Sequence, residues 1–159
     1  SLDDSLVYTG SKKLTDKIEG YDHDIGKLVL SPTRTYAPVV KEIISKVGVS
    51  NIDGMIHCSG GAQTKVLHFV ENKHIIKDNL FNTPIIFDLI QNESKTSWKE
   101  MYQVFNMGHR LEIYTDKLSA QKIIDISASF NLEAKIIGRV EDSISNKLSI
   151  SGDKGNFEY

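Results

Sequence analysis

An α+β domain, a mixed β-sheet with helices packed on it, is the architecture this sequence predicts. Three observations lead there. Helical periodicity recurs in separate segments, apolar strand-like runs stand between them without strict alternation, and two strand-like stretches close the chain. The 159 residues, 40% hydrophobic and 25% charged, describe one ordinary globular domain able to bury roughly 70% of its unfolded surface.

The elements follow in order. Residues 1 to 27 are polar, carry Gly10, Gly20 and Gly26, and read as a linker or surface arm in which His23-Asp24 is solvated loop. A short strand is expected at 28 to 30, then a turn at Ser31-Pro32. Val40, Ile43, Ile44 and Val47 repeat at i, i+3, i+4 and i+7, which predicts a helix with Pro38 in its first turn and Gly48 at its end. The stretch GMIHCSGGAQTKVLHFV, residues 54 to 70, predicts a buried strand, a glycine turn and an amphipathic helix. Thr83-Pro84 and the capping box of Ser97 with Glu100 start two further helices. FNMGHR breaks the second of these, RLEIYT alternates as a strand, and a helix is expected from Ser119 to Phe130 with Ile123, Ile124 and Ser127 on one face. AKIIGRV and KLSIS read as an antiparallel pair. The domain is thus expected at residues 28 to 151, with 152 to 159 a frayed polar tail.

Composition narrows the function. A net charge of −2, with lysines scattered among acids, argues against a nucleic-acid or anionic-membrane surface. Cys58, the single cysteine, has no disulfide partner and sits in an apolar run, which points to burial and a reducing compartment. The sequence contains no run of membrane-spanning length and opens without signal-peptide character, so a cytoplasmic location is expected. The initial serine reads as the start of an excised or processed domain.

Few residues invite chemistry. Ser59, Gly60 and Gly61 stand where a strand gives way to a helix. Their backbone N–H groups can converge on a phosphate or carboxylate, or the glycines can simply supply positive φ to a tight turn that Ser59 caps. Thr33 and Arg34 lie at a helix entrance, where Arg34 is either a bidentate phosphate donor or the partner of a surface carboxylate. Asn106 and Gly108 interrupt a helix just before a strand, as ligand-reaching loops do, although Asn106 also fits a plain C-cap. His57 and Ser59 share a strand face, which does not by itself establish contact, and there is no G-x-S-x-G elbow, while Cys58 faces the side opposite His57, so neither a serine nor a thiol nucleophile has an established base. His68 and His74 read as packed or solvent-facing, and Trp98, Met101, Tyr102 and Phe105 as core at helical spacing.

Four segments taken together, LSPTRTYAPVV (30 to 40), GMIHCSGGAQTKVLHFV (54 to 70), EMYQVFNMGHRLEIY (100 to 114) and AKIIGRVEDS (134 to 143), resemble in order and spacing the C-terminal domain of the aminoimidazole ribonucleotide synthetases, the phosphoribosylformylglycinamidine cyclo-ligases. Ser59 stands where the family pattern has threonine, Ala62 where it has a third glycine, and His109-Arg110 where it is small or apolar. Ala62 is harmless there only if its backbone is already helical.

The resemblance implies an ATP-dependent ring closure of formylglycinamidine ribonucleotide to aminoimidazole ribonucleotide, a step of purine synthesis. It implies ATP and magnesium held largely by an N-terminal domain not recognisable in this chain, and a homodimer of the whole protein. The fragment alone is then expected to be inactive. It assigns Ser59, Gly60, Gly61, Thr33, Arg34 and Gly108 to a substrate or nucleotide phosphate, and His57 and Asn106 to orienting the amide or amidine. The alternatives are a paralogue of the same superfamily with another substrate and a non-catalytic module that binds a phosphorylated metabolite.

Overall fold

The computed structural model describes residues 10–31 and 34–159. It is an α+β arrangement of two sheets. A two-stranded antiparallel ribbon joins β1 (Ile52–His57) to β3 (Leu111–Thr115), and a four-stranded mixed sheet has the order β4 (Gly138–Asp142), β2 (Lys73–Lys77), β5 (Lys147–Gly152), β6 (Gly155–Glu158). Strand β2 runs antiparallel to β4 and parallel to β5, which makes the sheet mixed.

The helices divide between the two faces of the ribbon. Helix α2 (Ala37–Val47) buries Val39, Ile43 and Val47 against Ile123 and Ile126 of α5 (Lys117–Ser129), with Ile52, Met55 and Ile113 of the ribbon completing this cluster. The other ribbon face contributes Ile56 to a second cluster, built from Ile75, Leu148 and Ile150 of the sheet and Met101 and Tyr102 of α4 (Trp98–Val104). Alternation along β1 therefore supplies two cores at once. Helix α3 (Ile85–Ser94) lies beside α4, where Phe87 meets Phe105 at 5.7 Å between ring centroids.

Local signals place several elements as expected. Pro38 sits in the first turn of α2 and Gly48 ends it at φ +86°. Ser97 caps α4 by accepting the Glu100 N–H at 3.2 Å. Helix α5 starts two residues before the expected Ser119, because Asp116 accepts the N–H groups of Leu118 and Ser119. Pro84 is the N-cap of α3, one position outside the helix.

Other expectations fail for identifiable reasons. Residues 28 to 30 belong to no strand. Asp24 caps a five-residue helix, α1 (Ile25–Val29), whose Ile25 and Leu28 are buried at i, i+3, so the expected polar arm ends in a helix. Residues 62 to 68 form a 3₁₀ helix rather than an amphipathic α-helix. The two closing strands do not pair with each other, since β2 lies between them. The tail expected to fray is β6, a hairpin partner of β5, and Tyr159 continues the ladder by exchanging hydrogen bonds with Leu148.

Gly138 opens β4 opposite Lys77, and any Cβ there would overlap the Ile76 carbonyl oxygen. Gly138→Ala is expected to displace β4 and to lower unfolding free energy by about 3 kcal/mol, since backbone cannot yield as a flexible side chain can. Urea denaturation of the two proteins measures this; equal midpoints would show that the close approach is not required.

Candidate functional site

The β1–β3 register sets the site. His57 pairs with Leu111, and the Cys58 N–H donates to the Arg110 carbonyl at 2.9 Å. The chain leaving β1 and the chain entering β3 are thereby held together, which brings the Ser59-Gly60-Gly61 turn beside the Asn106-Met107-Gly108 loop. A single side chain spans the two: Gln63 Nε2 donates to the Asn106 carbonyl at 2.7 Å.

The turn is shaped by a left-handed pair. Gly61 has φ +82° and Ala62 φ +42°, whereas Gly60 does not take positive φ. Ala62 is thus not in the helical conformation that would make its methyl harmless, and it carries a cost of about 1–2 kcal/mol at a buried position. Ser59 does not cap the following helix through its side chain. Its carbonyl accepts the Ala62 N–H at 2.8 Å, while its hydroxyl accepts from Lys65 Nζ at 3.1 Å. The same ammonium donates to the His57 carbonyl at 3.1 Å. Lys65 therefore brings a positive charge to the turn, and its place one helical turn beyond Gly61 is the signal for it in the sequence.

The remaining expected residues are placed less evenly. The His57 ring is exposed, on the strand face opposite buried Cys58, and packs edge-on to Tyr36 at 6.3 Å between centroids. That contact draws the segment entering α2 toward β1. Arg34, two residues before Tyr36, is exposed and forms no ion pair among the described residues; Thr33 lies outside them. Asn106 Oδ1 accepts the Gly108 N–H at 2.9 Å, an Asx turn that steadies Met107 at φ +50° and Gly108 at φ +95°. Its Nδ2 makes no hydrogen bond among the described residues.

Beneath the site lies a buried polar network that charge patterning alone does not reveal. Lys77 Nζ donates to Glu112 Oε1 at 2.5 Å, to Gln63 Oε1 at 2.8 Å and to the Gln63 carbonyl at 3.0 Å. Tyr114 donates to Glu112 Oε2 at 2.7 Å. The sequence signal is slight: Lys77 occupies the same face of β2 as buried Ile75, where a charge demands partners. Burial, reinforced by the Glu112 charge, pushes the Cys58 thiol up to about 12, so it stays protonated at neutral pH and is no nucleophile.

Among the described residues no three His, Cys, Asp or Glu side chains converge as a metal cage. No described helix is long and apolar enough to cross a membrane.

The segments around this turn and loop have relatives. The chain is 35% identical over 120 residues to a phosphoribosylformylglycinamidine cyclo-ligase of Methanococcus maripaludis, covering 76% of this chain and 34% of that protein. It is 32% identical over 141 residues to the namesake of Methanocaldococcus jannaschii (89% and 39%), and 30% identical over 155 residues to that of Syntrophus aciditrophicus (95% and 44%). This chain belongs with the phosphoribosylformylglycinamidine cyclo-ligases. It spans well under half the length of these relatives. No family model matches it.

His109, where the family pattern is small or apolar, is buried and structural. Its Nε2 accepts the Phe81 N–H at 3.0 Å, which leaves the neutral ring's proton on Nδ1, an atom without a partner. Burial pushes its pKa down to about 4 from 6.5. The neutral form is favoured by folding, so the associated stability is complete above pH 6.5 and is lost as pH falls from there through 4. The loss should reach about 3 kcal/mol, and His109→Gln, which keeps an acceptor for Phe81, should flatten that part of the profile. Urea midpoints at pH 7, 5.5 and 4 for both proteins test it; parallel profiles would contradict it.

Proposed function

We propose that this chain is the C-terminal part of an ATP-dependent cyclo-ligase that converts formylglycinamidine ribonucleotide to aminoimidazole ribonucleotide in purine biosynthesis, working in the cytoplasm as a homodimer with its own N-terminal domain. The observation that carries the proposal is the juxtaposition of the Ser59-Gly60-Gly61 turn and the Asn106 loop, two of the four segments on which the family likeness rests. In this reading the chain has the fold of the C-terminal domain of that superfamily.

The turn receives a phosphate of substrate or nucleotide. A seven-residue 3₁₀ helix offers little macrodipole, so attraction rests on the N–H groups of Gly60 and Gly61, the Ser59 hydroxyl and the Lys65 ammonium. Arg34 supplements it from the segment entering α2, with Thr33 its neighbour in sequence, and Gly108 keeps the opposite wall close to backbone. The exposed His57 ring and the Asn106 Nδ2 amide orient the formyl amide or amidine. ATP, when bound, supplies the phosphoryl group that makes the formyl amide oxygen a leaving group. An amidine nitrogen then closes the ring on that carbon and phosphate departs. In this reading ATP and magnesium are held largely by the N-terminal domain.

Gly60 is the position to test. It has no positive φ and an added Cβ would meet nothing within 4 Å, so Gly60→Asp introduces a negative charge without backbone strain. In the chain joined to its upstream domain, ATP and formylglycinamidine ribonucleotide should yield ADP, and Gly60→Asp should raise KM for one of the two at least ten-fold. Unchanged KM for both would remove the anion site. Folded joined protein without turnover would favour a paralogue with another substrate or a binding module.

A further inference from the structure

Gln63 is fully buried, yet every polar atom of its side chain is engaged, and its two ends face different parts of the molecule. Its Oε1 accepts from Lys77 on β2, and its Nε2 donates to the Asn106 carbonyl in the loop before β3. The amide orientation is forced, because an ammonium can only donate and a carbonyl can only accept. Lys77 is fixed in turn by Glu112 on β3 and by the Gln63 carbonyl, so its three protons have three acceptors. The Asn106 carbonyl also accepts the His109 N–H at 2.8 Å, closing the turn that contains Met107 at positive φ.

We propose that Gln63 is a positioning residue that sets the spacing between the Ser59-Gly60-Gly61 turn and the Asn106 loop, with buried Lys77 as its anchor. The inference rests on the reading of those two segments as one site. Gln63 follows the turn by two residues, so its backbone moves with the glycines while its side chain holds the opposite wall. Without its Nε2 donor the wall keeps its fold but loses its register to the turn. Gln63 touches no substrate; it acts through Asn106.

Two variants in the joined protein separate positioning from bulk stability. Gln63→Met preserves volume and removes both hydrogen bonds. Gln63→Glu keeps the acceptor for Lys77 and loses the donor to Asn106, except when its carboxyl is protonated. Measured as ADP release with formylglycinamidine ribonucleotide at pH 8, both variants should lose at least ten-fold in kcat/KM. Toward pH 6, Gln63→Glu should recover several-fold relative to the wild-type profile while Gln63→Met does not. Hydrogen exchange in residues 105 to 110 should quicken at least ten-fold in both at pH 8, with residues 37 to 47 unchanged. Kinetics within two-fold of wild type, a Gln63→Glu profile that tracks Gln63→Met, or exchange that rises equally throughout the domain would each overturn the proposal. If the wild-type protein releases no ADP, the cyclo-ligase reading fails by itself, and exchange confined to 105 to 110 or unchanged there decides the positioning role alone.

Discussion

A lysine with an almost fully buried ammonium cannot be left without partners, and that constraint organises the molecule. Lys77 and Glu112 form their ion pair with side chains only 2% and 4% exposed. Removing one partner of such a pair strands the other charge and typically costs about 3–5 kcal/mol. The pair joins β2 of the four-stranded sheet to β3 of the ribbon. Among the described residues the other contacts between these two layers are apolar packing, which tolerates sliding in a way that a directed hydrogen bond does not.

The site inherits its geometry from that junction. The ribbon register holds the chain after His57 beside the chain before Leu111, and Gln63, itself gripped by Lys77, ties the glycine turn to the Asn106 loop. The same region keeps its latent reactive groups silent. Cys58 lies in a buried environment where its thiol stays protonated, Tyr114 is driven up by burial and by the carboxylate it binds, and His109 is held neutral. The groups that face outward are an imidazole, a hydroxyl, an amide, an ammonium and backbone N–H donors. Such a set suits the holding of a phosphorylated polar substrate better than attack upon it.

Much of this was legible in the sequence wherever local chemistry decides structure. Helix α2 is announced by Pro38, Gly48 and its apolar period, α4 by the Ser97 cap, and β3 by strict alternation. Strand β2 was not legible, because KHIIK is only five residues and places a lysine on its buried face, which masks alternation. Strand β6 is polar and glycine-bearing, and its partner β5 supplies the order. The position of β2 between β4 and β5 is a non-local choice that no single segment encodes. The turn and the FNMG loop could be singled out from composition and family likeness, but the buried residues connecting them could not. Lys77 stands 14 residues from Gln63 and 35 from Glu112, distances over which spacing carries no information. Ala62 was readable as a departure, while its positive φ required the folded chain.

A crystal structure of the joined protein with formylglycinamidine ribonucleotide bound would decide whether the glycine turn holds a phosphate. A phosphate, of the substrate or of a nucleotide bound with it, is expected within hydrogen-bond distance of the Gly60 and Gly61 N–H groups and the Lys65 ammonium, facing Asn106 across the site. A ligand seated elsewhere, with the Ser59-Gly60-Gly61 turn open to solvent, would contradict it.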